Sequence, residues 1–228
     1  SQDGTANTKW AVGDEKPITL STGDQVILTI LGFNHDDLAD GSGKAGITFG
    51  MKYFIPTLSV MNNSQTNAGG WESSAMRTST MATLLSQLPS DLQSVIKQVS
   101  KKASAGSQST TITTSTDKLF SLALGEIFSK TAIENSAYLG VKQGAAVYTA
   151  EGSQYAYYEE LIADGDPNDG LSSLIMYQVS NGSANAVEYW LRSPYASNSS
   201  NFWSVYGSGH AYYDYADLSY GAYFAFCV

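Results

Sequence analysis

His35, His210 and Cys227 supply all the imidazole and thiol chemistry that the 228 residues hold. Nucleophilic or metal catalysis needs such groups beside a base or an oxyanion donor, and no Gly-x-Ser-x-Gly elbow, His-Glu-x-x-His pair or P-loop provides that setting. Glu159 and Glu160 are neighbours on a predicted helix and point apart, so they form no acid/base couple. One cysteine forbids an internal disulfide and any multi-cysteine metal site. His35 follows a predicted strand and reads as a hydrogen-bonded structural histidine.

Two segments imitate ligand motifs. Gly41-Ser42-Gly43-Lys44-Ala45-Gly46 fits GxGxxG, but a dinucleotide site needs a strand before it and a helix after it. Polar residues precede it and Ile47-Thr48-Phe49 follows, so a flexible loop is expected. Asp164-Gly165-Asp166-Pro167-Asn168-Asp169-Gly170 resembles a calcium loop, yet Asp169 stands where a glycine is required, Pro167 stiffens it and no glutamate closes it. It reads as an acidic surface turn, as do Asp36, Asp37 and Asp40. No metal and no cofactor is expected.

The chemistry that remains is recognition. Residues 195–223 include seven Tyr, six Ser, four Ala, three Gly, two Asn and two Asp, with no Lys, Arg, Glu, Gln, Thr, Met or Ile. Tyr offers rigid amphipathic contact area at low entropic cost, while Ser, Gly and Asn offer adaptable hydrogen bonds. A core of this length would be rich in Ile, Leu and Val. Clustered exposed aromatics call for a partner, so this block is expected to be a binding surface.

The elements that must hold the block follow from pattern. Residues 1–9 read as a flexible segment and 10–228 as one domain, long enough for a sizeable core. Strands are expected at Trp10–Thr19, Gln25–Phe33 and Ile47–Ile55, and helices at Trp71–Leu88 and from Ser90 onward. Ser100–Thr116 reads as a mobile Ser/Thr/Lys-rich loop, Lys118–Leu124 as a buried strand, Gly125–Lys130 as a helical turn and Glu151–Ile162 as a helix. Trp190–Pro194 forms a compact segment, Phe202–Tyr206 and His210–Ala216 form a hairpin around Gly207-Ser208-Gly209, and Tyr223–Val228 closes the fold as a strand. Strands, two helices, then strands make an α+β fold.

Composition bounds the rest. Charged residues are 14% and hydrophobic residues 43%, which excludes a disordered tail and a coiled coil. The apolar run Val26–Phe33 is broken by Thr29 and Gly32 and is too short to cross a bilayer, so no membrane insertion is expected. The chain begins at Ser without Met and shows no signal peptide, so its start reads as processed or artificially chosen. Of the net charge of −9, nearly all lies in residues 143–228, where nine acids face one base, Arg192. Such a surface repels phosphate, and nucleic acid is not an expected partner.

Several strings resemble one family. Trp190-Leu191-Arg192-Ser193-Pro194, Asn201-Phe202-Trp203-Ser204-Val205 and Ala225-Phe226-Cys227-Val228 resemble C-type-lectin-fold domains related to the formylglycine-generating enzymes. Gly32-Phe33-Asn34-His35-Asp36, Gly46-Ile47-Thr48-Phe49, the run from Asn67 to Ser73, Met76-Arg77, Leu88-Pro89 and Glu151-Gly152-Ser153-Gln154-Tyr155 resemble a domain common in Gram-positive bacteria and their phages. The likeness spans about residues 10–228. It implies a C-type lectin fold of the formylglycine-generating-enzyme-like subclass, with two helices packed on antiparallel sheets.

Within that likeness, the block 195–223 looks like the variable region of a diversity-generating retroelement target protein. Adenine randomisation of Asn-type codons yields Asn, Ser, Tyr, Asp, Gly, Ala and His, and cannot yield Lys, Glu, Gln or Met. The resemblance implies that Tyr195, Ser197, Ser199, Ser200, Tyr206, Ser208, His210, Tyr212, Tyr213, Tyr215, Asp217, Ser219, Tyr220 and Tyr223 are ligand contacts. Trp190, Arg192, Phe202, Trp203 and Phe226 would be scaffold. The Arg-Pro expected near Gly221-Ala222-Tyr223-Phe224 is missing, which counts Tyr223 among the varied positions. The Glu-Pro-Asn and Gln-Pro-Asp sugar triplets and the catalytic cysteine pair are absent too.

The implied function is non-enzymatic recognition of a protein or glycan on a target cell surface. Display would be extracellular, at a virion's receptor-binding tip or on a bacterial surface, and multivalent or homo-oligomeric. Three alternatives stay open: a structural envelope domain without a diversified site, a catalytic formylglycine-generating-type enzyme, and a calcium-dependent lectin.

Overall fold

The N-terminal hairpin meets the closing strand in one sheet. β1 (Glu15–Thr19) pairs antiparallel with β2 (Gln25–Phe33) across a turn in which Leu20 N–H donates to Asp24 O at 2.8 Å. β3 (Ile47–Lys52) pairs with β2 through a bulge between Ile30 and Gly32, and the strand Ala225–Cys227 pairs with β3. At the centre of β3, a Cβ on Gly50 would lie 2.2 Å from the Tyr223 hydroxyl, so only glycine fits that crossing. A computed structural model describes residues 6–53, 55–136, 144–180 and 183–228.

A second sheet carries the tyrosine block. β4 (Leu58–Ser59) leads into short helical pieces at Gly70–Ser73, Met76–Thr80, Met81–Gln87 and Ser90–Val95, and then to the hairpin of β5 (Val99–Ser104) and β6 (Ile112–Asp117). Helices follow at Leu124–Ile127, Lys130–Asn135, Ala145–Glu151 and Ala156–Ile162, with a ribbon of β7 (Met176–Ser180) and β8 (Ser183–Val187). β9 (Tyr189–Pro194), β10 (Asn201–Val205), β11 (Ala211–Tyr215) and β12 (Tyr220–Gly221) then complete a sheet of order β11-β10-β9-β12-β4, parallel at β12–β9 and antiparallel elsewhere. The closing strand Ala225–Cys227 is β13. The architecture is mixed α+β with several small sheets.

Several local expectations give way. Ser100–Thr116 contains a hairpin, because Val99, Lys101 and Ala103 alternate inward and Lys101 is buried on ion partners, which its charge disguises in sequence. Lys118–Leu124 forms no strand: Leu119–Ala123 is buried extended chain with one bridge, Phe120 to Ala225. The long helix at Trp71–Leu88 is interrupted near Ser74, whose hydroxyl donates to Trp71 O, and continues through a π-helical turn at Met76–Thr80. The helix expected over Glu151–Ile162 breaks at Gly152, where a Cβ would lie 2.6 Å from Glu126 Cγ. Residues 1–5 lie outside the described part, but Ala6–Lys9 is helical and Ala6 packs on Ile30 and Ile47.

Candidate functional site

The platform beneath the tyrosines is apolar and held from below. Every residue of β9 and β10 is buried, whereas β11, at the sheet edge, is buried only at Ala211. The loop joining β9 to β10 is fastened by Asn67, whose amide donates to Asn198 O at 3.0 Å and Asn201 O at 2.8 Å while its oxygen accepts from Ser107 N–H at 2.7 Å. Asn198 folds back inside the loop and accepts from the N–H groups of Ser200 and Asn201. At the hairpin tip, Tyr206 N–H donates to His210 O at 2.9 Å, and Gly209 takes φ +88° where a Cβ would strike Leu171 O. The acidic turn braces the same tip, since Ala211 N–H donates to Pro167 O at 2.7 Å. Among the described residues, no three His, Cys, Asp or Glu side chains are grouped to hold a metal ion.

On this platform the rings form a continuous array from core to solvent. Tyr213 stacks on Tyr195 at 3.9 Å and meets the edge of Trp203 at 5.6 Å. Tyr212 stacks on Tyr213 at 5.5 Å and lies edge-on to Tyr206 at 5.6 Å, with the His210 ring 5.2 Å from Tyr206. Tyr206, Tyr212 and Tyr215 are 46%, 39% and 46% exposed. Ser197, Ser199, Ser208 and Ser219 are exposed too, and Ser200, His210, Tyr213, Asp217 and Tyr220 are half-buried. Thus twelve of the fourteen expected contacts reach solvent at least in part.

Tyr195 and Tyr223 do not. Tyr195 is 7% exposed because its ring is covered by Tyr213 and faces the edge of Trp203. Tyr223 is 0% exposed, stacked on Tyr189 with its hydroxyl 3.4 Å from that of Tyr158. Alternation along the closing segment points Tyr223 outward, but residues 222–227 lie between layers and are covered on both faces. Both tyrosines are packing groups. Trp190, Arg192, Phe202, Trp203 and Phe226 are all buried.

Behind the platform lies a buried ion network. The Arg192 guanidinium forks onto Glu126 at 2.5 and 2.7 Å and donates to the carbonyls of Ser121, Glu151 and Lys102, which uses its whole donor set. Lys101 joins Glu126 at 2.5 Å to Asp36 at 2.6 Å, and Asp36 accepts from Thr48 at 2.5 Å and from Tyr155 at 3.0 Å. Burial works against Asp36 and Glu126, yet Lys101 and Arg192 hold both carboxyls below their usual range. Glu151 has no such pairing: burial pushes it up to about 7 while Ser193 and the Ser104 N–H donate to it. Two cations therefore face two ionised carboxylates, and the third carboxyl keeps its proton below about pH 7. Cys227 lies inside this network, buried, with Sγ 3.3 Å from Thr48 Oγ1 and its thiol pushed up by burial.

Sequence reasoning passed over Glu188 and Asp214. Ser204 Oγ donates to Glu188 Oε1 at 2.5 Å, and the Tyr220 hydroxyl donates to Asp214 Oδ2 at 2.7 Å while its ring lies 4.9 Å from Trp190. Burial raises Glu188 to about 7. One signal was available: Glu188 is the only charged residue between Asp169 and Arg192.

Residues 46–228 match the family described as a domain of unknown function, DUF6273, and the chain belongs to that family. No curated protein and no solved structure matches it.

Proposed function

We propose that this is a non-enzymatic recognition domain of C-type lectin fold, in the formylglycine-generating-enzyme-like branch, whose Tyr/Ser face is a diversified ligand surface. One observation carries the reading: an exposed array of Tyr206, Tyr212 and Tyr215, with Ser197, Ser199, Ser208 and Ser219 around it, stands on a platform whose every side chain is buried. Side chains on the array can change while the backbone beneath them stays fixed, which is what a diversified site requires. Affinity would come from aromatic burial with hydroxyl hydrogen bonding on a preorganised surface. The ligand is a protein or glycan on a target cell, met from a virion tip or a bacterial surface by several copies at once.

The burial of Cys227 and the upward shift of its thiol support the non-enzymatic side of this reading, since a redox or nucleophilic thiol must be reachable and readily ionised. The test is genetic. DNA downstream of the gene is sequenced for a near-copy of the segment 190–228 that differs mainly at adenines, beside a reverse transcriptase gene. The expected result is such a copy. Its absence, with an invariant block among isolates, would replace diversified recognition with a structural envelope role.

A further inference from the structure

We propose that the tyrosine face seats a basic side chain, an arginine or lysine of a protein partner, on the Glu188 and Asp214 carboxylates among the rings of Tyr206, Tyr212 and Tyr220. The inference rests on the recognition reading and names the ligand chemistry of that site. Ser204 pairs across the sheet with Tyr212 on one side and Trp190 on the other, so these three side chains share a face, and Asp214 follows Tyr212 by two residues onto it. Tyr220 lies over Trp190 and reaches Asp214, and Glu188 rests under the same face on Ser204.

Glu188 is the informative group. It is 8% exposed, and among the described residues its carboxyl takes a single hydrogen bond, from Ser204, and forms no ion pair; nor does Asp214. A carboxyl so far from water without a counter-charge is costly to ionise, and burial and the nearby Asp214 both raise its pKa. A guanidinium arriving from a partner would supply the missing charge, fork onto the carboxylates and stack on tyrosine faces. A glycan of neutral or anionic sugars brings no such charge. The nine acids against one buried base in residues 143–228 favour the same sign of partner. Glu188 also lies outside residues 195–223, so every diversified copy would keep this one carboxyl while the rings above it change.

The probe is N-acetyl-arginine amide, titrated into the isotope-labelled chain and followed by NMR, with N-acetyl-citrulline amide as its uncharged counterpart. Saturable shifts at Ser204, Tyr206, Tyr212 and Asp214 are expected for arginine and none for citrulline. The double variant Glu188→Gln, Asp214→Asn should weaken arginine binding roughly ten-fold, the worth of about one charge-assisted contact. Glu159→Gln with Glu160→Gln removes the same charge from an exposed helix and should change affinity less than about two-fold. Unchanged melting temperatures in both variants show that the fold is intact. No saturable binding, equal binding of citrulline, or equal loss in both double variants would overturn the proposal. A face that ignores arginine in a gene carrying the adenine-marked near-copy would refute the basic ligand and leave diversified recognition standing; arginine binding without that copy would do the reverse.

Discussion

Arg192, on the strand that also carries Trp190, and Glu126 form a buried two-point ion pair at 2.5 and 2.7 Å. It links β9 to the helix Leu124–Ile127 and, through Lys101, to β5 and Asp36. Removing one partner strands a buried charge, which costs far more than the pair itself contributes. Arg192→Met should therefore destabilise the domain by roughly 3–5 kcal/mol, read as a shift in the urea midpoint. Arg192→Met with Glu126→Leu should recover much of that loss; a double variant no more stable than the single would show that the pair is not the cause.

The tyrosines should divide by depth. Trp203→Ala removes a buried aromatic and should cost roughly 3–5 kcal/mol. Tyr212→Ala and Tyr215→Ala, at exposed positions, should stay within about 0.5 kcal/mol of the parent while lowering ligand binding. Tyr213→Ala is intermediate, about 1–2 kcal/mol, because it uncovers Tyr195 and the Trp203 edge. Thermal melts of the four variants give the order directly.

Glu151 sets a pH dependence whose sign is fixed. Its folded pKa is raised from 4.5 to about 7, so between those values the folded state binds the extra proton and stability falls as pH rises. Glu151→Gln keeps a neutral hydrogen-bonding group at every pH. Relative to the parent it should gain roughly 1–3 kcal/mol between about pH 5 and about pH 8. A constant difference across that range would place the ionisation elsewhere.

Cys227 should resist modification. Its thiol is buried and its pKa raised, so iodoacetamide should label it only at the rate at which the domain opens. Labelling in native buffer as fast as in urea would mean that the closing strand is loose.

Much of the sheet could be read from the chain. Gln25–Phe33 runs over the expected residues, and the hairpin around Gly207-Ser208-Gly209 differs by one residue at each strand end. The β5–β6 hairpin escaped because its inward positions include Lys101, a charged residue whose partners Asp36 and Glu126 are remote in sequence. Tyr195 and Tyr223 escaped for the converse reason: composition marks them as surface, and only the packing of Tyr213 and Tyr189 over them shows otherwise. The Glu188 carboxyl could be noticed in sequence as an isolated charge, but that no cation among the described residues pairs with it is a property of the fold alone.

The closing strand has a consequence for inheritance. β13 pairs with β3 and bridges to Phe120, and the ribosome reaches it only after the whole tyrosine block. A copy interrupted or shifted in frame anywhere between Tyr195 and Tyr223 lacks Ala225–Cys227, and with them the buried Phe226 that packs on Phe49. Errors that truncate the message are thereby filtered by folding itself, while a substitution that merely exchanges one exposed side chain for another leaves the closing strand in place.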